Sequence, residues 1–151
     1  MRDWRQPLTA LRTRLRGGAC RPLGPDAGVE TINGAVRYSD ALVTCSNFDL
    51  PDRKVSGVVV VFEVVNPSSG RTDRIVKVHE YAAVPSIRRY VILESTSVGL
   101  TILERAAPDQ VWQTTVLTND DTLRTPEINI DIPVAEIYEG TNFQDQDEAS
   151  D

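Results

Sequence analysis

One apolar run of the chain, GVVVVFEVVNPSS at residues 57–69, carries a charged residue in its interior. Five apolar residues precede Glu63 and two valines follow it. A β-branched run of this kind predicts a strand that is buried on both faces, as in the middle of a sheet. An ionised carboxylate is costly in such a place unless a cation or several hydrogen-bond donors meet it. The presence of Glu63 therefore calls for a structural partner or a function.

The N-terminal segment has a helical pattern. Four apolar residues recur at helical spacing on one narrow stripe: Trp4, Leu8, Leu11 and Leu15. The glycines of RGG at 16–18 predict the end of this helix. From Val29 the pattern changes to β-strands, and Asn33-Gly34 predicts a hairpin turn between two of them.

After the strand that carries Glu63, the breaker NPSSG precedes a second predicted helix, RTDRIVKVHEYAAV, whose N-cap would be Ser68, Ser69 or Thr72. Three short strands follow within RRYVILES, VGLTILERA and VWQTTVL. PEINIDIP adds an alternating strand or edge, and PVAEIYEG predicts a short closing helix. This order predicts an α/β fold with helices packed on one mixed β-sheet. We expect a single domain over residues 1–140 and a disordered acidic tail over 141–151.

Bulk composition narrows the class of protein. Hydrophobic residues make up 40% of the chain and charged residues 25%, as in ordinary globular proteins. No apolar run approaches the roughly 20 residues of a membrane helix, and the N-terminus lacks the apolar core of a signal peptide. We therefore expect no membrane partner and a cytoplasmic location.

Residues with reactive side chains are few. Cys20 and Cys45 do not make a disulfide framework or a zinc site, and in a reducing compartment we expect them to be small core residues. The single histidine, His79, excludes a multi-histidine metal site. It shares a stripe with Ile75 and Ala82, which predicts a packed helix residue. The sequence has no nucleophile elbow and no glycine-rich phosphate loop.

The net charge of −6 is unevenly distributed. The C-terminal DQDEASD holds four acids, whereas the first 21 residues carry six arginines and one acid. A basic N-terminal region on a nearly neutral body permits contact with nucleic acid. A solvated helix face is the alternative explanation of these arginines.

Two interpretations account for Glu63. It can pair with a nearby lysine or arginine as a buried ion pair, or it can bind a divalent cation together with a second carboxylate. Asp40 is the natural second ligand because it begins its own apolar run, DALVTC, on a neighbouring strand. Two carboxylates suit Mg²⁺ or Mn²⁺, which keep several waters and share a phosphate with their substrate.

Lys77 is the candidate cation beside such a site. The rise of the strand and of the returning helix brings Lys77 back to the level of Glu63. The apolar stripe of this helix consists of Ile75, Val78 and Ala82. Because Lys77 lies opposite that stripe, either the helix is buried on two sides, with Tyr81 and Val84 on the second, or Lys77 points to solvent. A surface pair with Asp73 is a further alternative.

These residues resemble the Uma-two family of restriction endonucleases, which belongs to the PD-(D/E)xK nuclease superfamily. The similarity runs from LTALRTRLRGGAC to DIPVAEIYEG. Its most specific part is residues 63–81, in which E-V-x-x-P-S-S and then D-x-x-x-K-x-x-x-Y keep the order and spacing of the family.

The resemblance implies a restriction-endonuclease-like mixed sheet flanked by helices, and Mg²⁺-dependent hydrolysis of phosphodiester bonds in DNA. By position in the motifs, the metal ligands of the family fall on Asp40 and Glu63, with the backbone carbonyl of Val64 on the same side. The catalytic cation falls on Lys77. A homodimer would suit an enzyme of this class, which often cuts two strands with two copies.

Other polar and aromatic residues are weaker candidates. Arg71 and Arg74, with the N-terminal arginines, could hold the phosphate backbone. We expect Tyr90 and Trp112 to be core or sheet-face residues. Glu94 ends its strand, either near the site or in solvent.

The chain departs from the family pattern in several places. The superfamily lysine usually follows the glutamate by two residues, where this chain has Val65. Ser39, Asn66 and Val76 stand where the family commonly has proline, serine and an acid. The upstream strand and the start of the first helix are missing from the pattern, so we expect an N-terminally short chain. These departures favour an alternative, a catalytically inactive nuclease-fold protein that binds DNA or another protein. A structural Glu63–Lys77 ion pair without metal is a third interpretation.

Overall fold

A computed structural model describes residues 6–46, 54–65 and 71–139 of the protein. Several predictions made from the sequence lie outside these residues. They are the place of Trp4 on the first helix, the caps Ser68 and Ser69, and the acidic tail over 141–151.

The described residues form three helices, ten strands and two short 3₁₀ turns. The helices are α1 (Gln6–Leu15), α2 (Arg71–Ala82) and α3 (Val134–Ile137). The strands are β1 (Arg21–Leu23), β2 (Gly28–Glu30), β3 (Val36–Tyr38), β4 (Ala41–Thr44), β5 (Val58–Val65), β6 (Arg89–Glu94), β7 (Leu100–Glu104), β8 (Gln113–Leu117), β9 (Thr122–Thr125) and β10 (Ile130–Pro133). The 3₁₀ turns are Ile32–Gly34 and Pro126–Ile128. None of the helices within the described ranges is long and apolar enough to cross a membrane.

A six-stranded mixed sheet forms the centre of the fold, in the order β1-β4-β5-β6-β7-β8. Among the described strands of this sheet, β5 and β6 form the one parallel pair, and α2 lies between them in the chain as the crossover that a parallel pair needs. Two antiparallel hairpins, β2–β3 and β9–β10, lie outside this sheet. The predicted mixed sheet flanked by helices is confirmed.

β5 is the inner strand that its sequence predicts. It pairs with β4 on one side and with β6 on the other, and most of its side chains are buried. Successive side chains point to opposite faces, so Val60 and Phe62 contribute to one hydrophobic core and Val61 and Val65 to the other. Glu63 belongs by this alternation to the second face.

The two faces of the sheet are covered by different elements. On the first, α1, α3 and the β9–β10 hairpin enclose one core. On the second, α2 and the β2–β3 hairpin enclose the other. The predicted stripe of α1 is confirmed, because Leu8, Leu11 and Leu15 are buried. The helix ends at Leu15, whose carbonyl accepts a hydrogen bond from the Gly18 amide, and Gly17 takes the left-handed conformation (φ 78°) that glycine tolerates.

Some local predictions were incomplete or wrong. The predicted hairpin after Val29 is present as β2–β3, but the sequence patterns did not predict β1 or β9. β1 has three residues, one of them Pro22, which suits only an edge strand and leaves no alternating pattern. Part of the predicted strand PEINIDIP is the 3₁₀ turn Pro126–Ile128, after which Asn129 adopts φ 56° and turns the chain into β10. Thr72 lies inside α2 and does not cap it.

The two cysteines form a disulfide, which corrects the expectation that they are separate core residues. The antiparallel register of β1 and β4 pairs Arg21 with Thr44, so the next pair outward is Cys20 and Cys45. The bond joins residues 25 positions apart. Sequence spacing alone could not reveal it, because the strand that brings Cys20 to Cys45 was not predicted.

Candidate active site

Glu63 lies near the carboxyl end of β5 and is almost completely buried, with 4% of its surface exposed. It shares its face of the sheet with Val61 and Val65, which pack under α2. Its neighbour in the parallel strand β6 is Ile92. The carboxylate therefore leaves an apolar strand and enters the layer between the sheet and α2.

Three donors meet the Glu63 carboxylate in that layer. The Tyr90 hydroxyl donates to Oε2 at 2.6 Å, and the Tyr81 hydroxyl lies 3.5 Å from Oε1. The Lys77 Nζ lies 3.5 Å from Oε2. The two tyrosine rings also contact each other edge to face, with centroids 4.9 Å apart. This arrangement compensates the burial of the charge with one short hydrogen bond, one long one and one ammonium group.

Both tyrosines are held in the protonated form. Burial raises the pKa of Tyr90 well above its usual value, and the negative charge of Glu63 raises it further. The pKa of Tyr81 is raised by burial and then by Glu63 in the same way. At neutral pH the two phenols are therefore donors to Glu63 and not bases.

The face that α2 turns toward the sheet differs from the predicted stripe. Ile75 is 60% exposed and His79 is exposed, so the expected packing of both residues was wrong. The helix instead directs Arg74, Lys77 and Tyr81 to the sheet, at the spacing of three and four residues that shares one helix face. Of the alternatives left open for Lys77, the inward orientation is the observed one, and 26% of its side chain remains exposed.

Asp40 lies directly before β4, at the same end of the sheet as Glu63. Its Oδ2 accepts a hydrogen bond of 2.7 Å from the backbone amide of Val64. The last residue pair of the β4–β5 register joins Ala41 to Phe62, so Asp40 stands next to Glu63 one step further along the two strands. The Asp40 side chain is exposed, whereas Glu63 is buried.

A second ion pair lies one helical turn from Lys77. Arg74 Nη2 is 3.5 Å from Glu94 Oε1, and both side chains are partly exposed. Glu94 pairs with Val65 in the β5–β6 register and so lies on the same face as Glu63. The side chains of Arg71 and Asp73 lie outside the described residues.

The residues brought together fit a small hard cation. Among the described residues no cluster of three or more acidic, cysteine or histidine side chains occurs. Asp40, Glu63 and the Val64 carbonyl would supply oxygen ligands only, and Mg²⁺ commonly binds through one or two carboxylates while it keeps several waters. The donor set suits Mg²⁺ or Mn²⁺ and does not suit zinc, which prefers nitrogen and sulfur.

Sequence reasoning missed the role of Tyr90. A tyrosine in the apolar run RYVILE has the pattern of a core residue, and the ring is indeed buried. Only the parallel pairing of β5 and β6 reveals that its hydroxyl reaches Glu63. A buried tyrosine usually finds a partner for its hydroxyl, which is the one signal that the sequence offered.

The fold is shared with a solved structure. A crystal structure from Anabaena variabilis, described as "a putative nuclease belonging to DUF820", superposes with a TM-score of 0.67. The alignment covers 88% of this chain and 77% of that one at 10% sequence identity. At this identity the likeness shows a shared fold.

The sequence family is defined by a second comparison. The family model Uma2, described as "Putative restriction endonuclease", matches residues 7–135. Because this match spans most of the chain, the protein belongs to the Uma2 family. A relative from Synechocystis sp., the protein slr1290, is 30% identical over 141 residues, which cover 89% of this chain and 72% of the relative.

Proposed function

We propose that this protein is a Mg²⁺-dependent endonuclease that hydrolyses phosphodiester bonds in DNA. The observation that carries the proposal is the contact between Lys77 Nζ and the buried Glu63 carboxylate, at the end of a central strand that also brings Asp40 alongside. Two acids and a lysine at one point of a mixed sheet are what the resemblance to metal-dependent nucleases implied. Membership of a restriction-endonuclease family supports DNA as the substrate.

Each residue has a separate task in this proposal. Asp40 and Glu63 hold the ion, with the Val64 carbonyl on the same side. The ion, when bound, supplies a water of lowered pKa and neutralises charge that develops on the phosphate. Lys77 orients or deprotonates the attacking water. Tyr90 keeps the Glu63 carboxylate in one orientation through its short hydrogen bond.

Arginines at the N-terminal end of α2 would hold the substrate. Arg74 is partly exposed and lies one turn before Lys77, so its guanidinium can reach a phosphate beside the reacting one. Glu94 holds Arg74 on this side of the helix in the absence of substrate. We propose the same role for Arg71, the first residue of α2. Two copies of the chain would be needed to cut both strands at one position.

One observation favours a second candidate, a catalytically inactive nuclease-fold protein that binds DNA or a protein partner. Tyr90, Tyr81 and Lys77 already meet the Glu63 carboxylate. In this interpretation the pair of Glu63 and Lys77 is structural, and no metal binds.

The first test is a calorimetric titration of Mn²⁺ into the wild-type protein and Asp40→Asn. We expect saturable binding that Asp40→Asn abolishes, because the substitution removes one of two carboxylate ligands. The control is Asp109→Asn, an exposed acid in the β7–β8 connection at the other end of the sheet. It should bind as the wild type does. Absence of binding to the wild-type protein would contradict the proposal and favour the inactive fold.

The second test concerns Lys77. Lys77→Ala is expected to abolish cleavage of duplex DNA in the presence of Mn²⁺ while the calorimetric affinity for Mn²⁺ changes little. The reason is that Lys77 acts on the water and the phosphate and is not a ligand. If cleavage and Mn²⁺ affinity fell together, the role assigned to Lys77 would be wrong. A denaturation curve of the variant shows that it is folded.

A further inference from the structure

A basic cleft lies between the C-terminal end of α1 and the edge strand β1. It has a volume of about 640 Å³, and three of its lining residues are arginines: Arg12, Arg16 and Arg21. The rest of its lining is apolar or glycine backbone, and none of the described residues that line it is acidic. All three arginine side chains are exposed. We call this feature the arginine cleft.

The arginines of α1 have two different surroundings. Arg14 faces α3, where its guanidinium makes a bidentate pair with Glu136 at 2.5 and 2.7 Å. Arg12 and Arg16 face the cleft on another side of the helix. Their spacing of four residues places two like charges next to each other, which costs free energy in an isolated helix. An anion in the cleft would offset that repulsion.

The cleft is part of a fixed scaffold. Cys20 lies in its wall and is joined to Cys45, so β1 is tied covalently to the inner strand β4. Arg21 follows directly and pairs with Thr44 in the β1–β4 register. The backbone position of Arg21 relative to β4 is therefore set before any ligand arrives, and little ordering of this strand is needed for binding.

We propose that the arginine cleft binds the phosphodiester backbone of duplex DNA, at a distance from the reacting phosphate. This inference rests on the proposed function for the identity of the ligand. Guanidinium groups pair with phosphate oxygens in bidentate geometry, so an open cleft lined by three arginines suits the negative charge of a nucleic-acid backbone.

The cleft and the candidate active site both lie on the β1 side of the sheet, but at opposite ends of the strands, and α1 packs on the face opposite to the one that carries Glu63. Asp40 precedes Thr44 by four residues, so at strand rise the level of Arg21 is about 13 Å from that of Asp40. In this inference the cleft contacts backbone phosphates that lie outside the cleavage site, around the edge strand β1.

The test is the salt dependence of binding to a short DNA duplex, measured by fluorescence anisotropy in EDTA, for the wild type and Arg12→Gln/Arg16→Gln. Each phosphate contact contributes about 0.9 to the slope of log affinity against log salt, so the double variant should lower the slope by about 1.8. The control is Arg88→Gln. Arg88 lines another cleft, of about 550 Å³, that also contains Glu104 and Glu127 and should not attract phosphate.

Two outcomes would overturn the inference. An unchanged slope in the double variant, with a lower thermal midpoint, would mean that the two arginines serve only the C-terminal end of α1. An equal loss of slope per arginine in Arg88→Gln would mean that the effect is general to surface charge. Because EDTA removes the ion, the result does not depend on metal binding or cleavage. Failure of the proposed chemistry therefore leaves this test intact.

Discussion

At the scale of single residues, the three donors around Glu63 contribute in different ways. The Tyr90 hydroxyl, at 2.6 Å, has the geometry of a strong hydrogen bond to a charged acceptor, whereas the Tyr81 hydroxyl at 3.5 Å is at the limit of hydrogen bonding. Lys77 supplies positive charge at 3.5 Å and retains contact with solvent. Tyr90 therefore does most to orient the carboxylate, and Lys77 most to neutralise it.

The two phenols provide a matched pair of substitutions. Tyr90→Phe removes the short bond and should lower the free energy of unfolding by about 2 kcal/mol, because a buried carboxylate loses its best donor. Tyr81→Phe removes only the long contact, and we expect a loss of about 0.5 kcal/mol or less. Urea denaturation in EDTA measures both. Equal losses would show that the two hydroxyls hold Glu63 equally.

Residue types in the sequence predicted part of this site. Glu63 stood out because a charge within a valine run is expensive, and Asp40 because it begins the neighbouring strand. Neither argument predicts the contact of Tyr90 with Glu63. The pairing of β5 with β6 brings the Tyr90 hydroxyl to Glu63, and no local sequence pattern specifies that pairing. The sequence left open whether Glu94 lies near the site or in solvent. Its ion pair with Arg74 is explained only by the position of Arg74 on α2.

At the scale of elements, α2 is fixed against its surroundings at its C-terminal end. The Arg105 guanidinium donates to the carbonyl of Ala82, the last residue of α2, and to that of Val84 just beyond the helix. It also lies 4.5 Å from the centre of the Trp112 ring. Because the end of the helix is held there, the height of Lys77 above β5 is held as well.

α2 is also tied to the β2–β3 hairpin by an ion pair between Arg37 and Glu80. The second bond of the pair joins Arg37 Nη2 to Glu80 Oε1 at 2.9 Å. The hydrogen bond with Arg37 lowers the pKa of Glu80 below its ordinary value of 4.5. The pair therefore stabilises the fold above that pH, and the stabilisation is lost as the pH falls through the folded pKa.

The lowered pKa of Glu80 gives a pH-dependent prediction. Arg37→Gln should lower the free energy of unfolding at pH 7 by about 1 kcal/mol, and the difference from the wild type should vanish in strong acid, where Glu80 is protonated in both proteins. Urea denaturation at the two pH values measures it. Arg124→Gln, which breaks an exposed pair with Asp131, is the control and should change little at either pH. A difference for Arg37→Gln that persists in acid would assign its effect to packing.

The elements themselves were largely predictable, but the orientation of α2 was not. Hydrophobic periodicity predicts the buried face of a helix when the surface on which the helix packs is apolar. Here the sheet presents Glu63 and Glu94 to the helix, so α2 faces it with Arg74 and Lys77 and leaves Ile75 in solvent. The pattern failed at the place where the interior is polar.

At the scale of the whole molecule, the mixed sheet could be predicted from the order of strands and helices, because a valine-rich strand followed by a helix and another strand is a parallel crossover unit. The edge strand β1 could not be predicted from the sequence. β1 is too short for a periodic signal, and its partner β4 is separated from it by the β2–β3 hairpin. The arginine cleft could therefore not be predicted from the sequence, since it lies between α1 and that strand.

The bond between Cys20 and Cys45 also bears on where the protein folds. Disulfides form and persist in oxidising compartments and are rare in the cytosol, where cellular reductants keep thiols free. In the expected cytoplasmic location Cys20 and Cys45 would be free thiols, whereas in the structure they form a disulfide. The redox state of these two cysteines therefore indicates the compartment from which the protein comes. Protein alkylated at the moment of cell lysis would carry two labels if it came from a reducing compartment, and none if it came from an oxidising one.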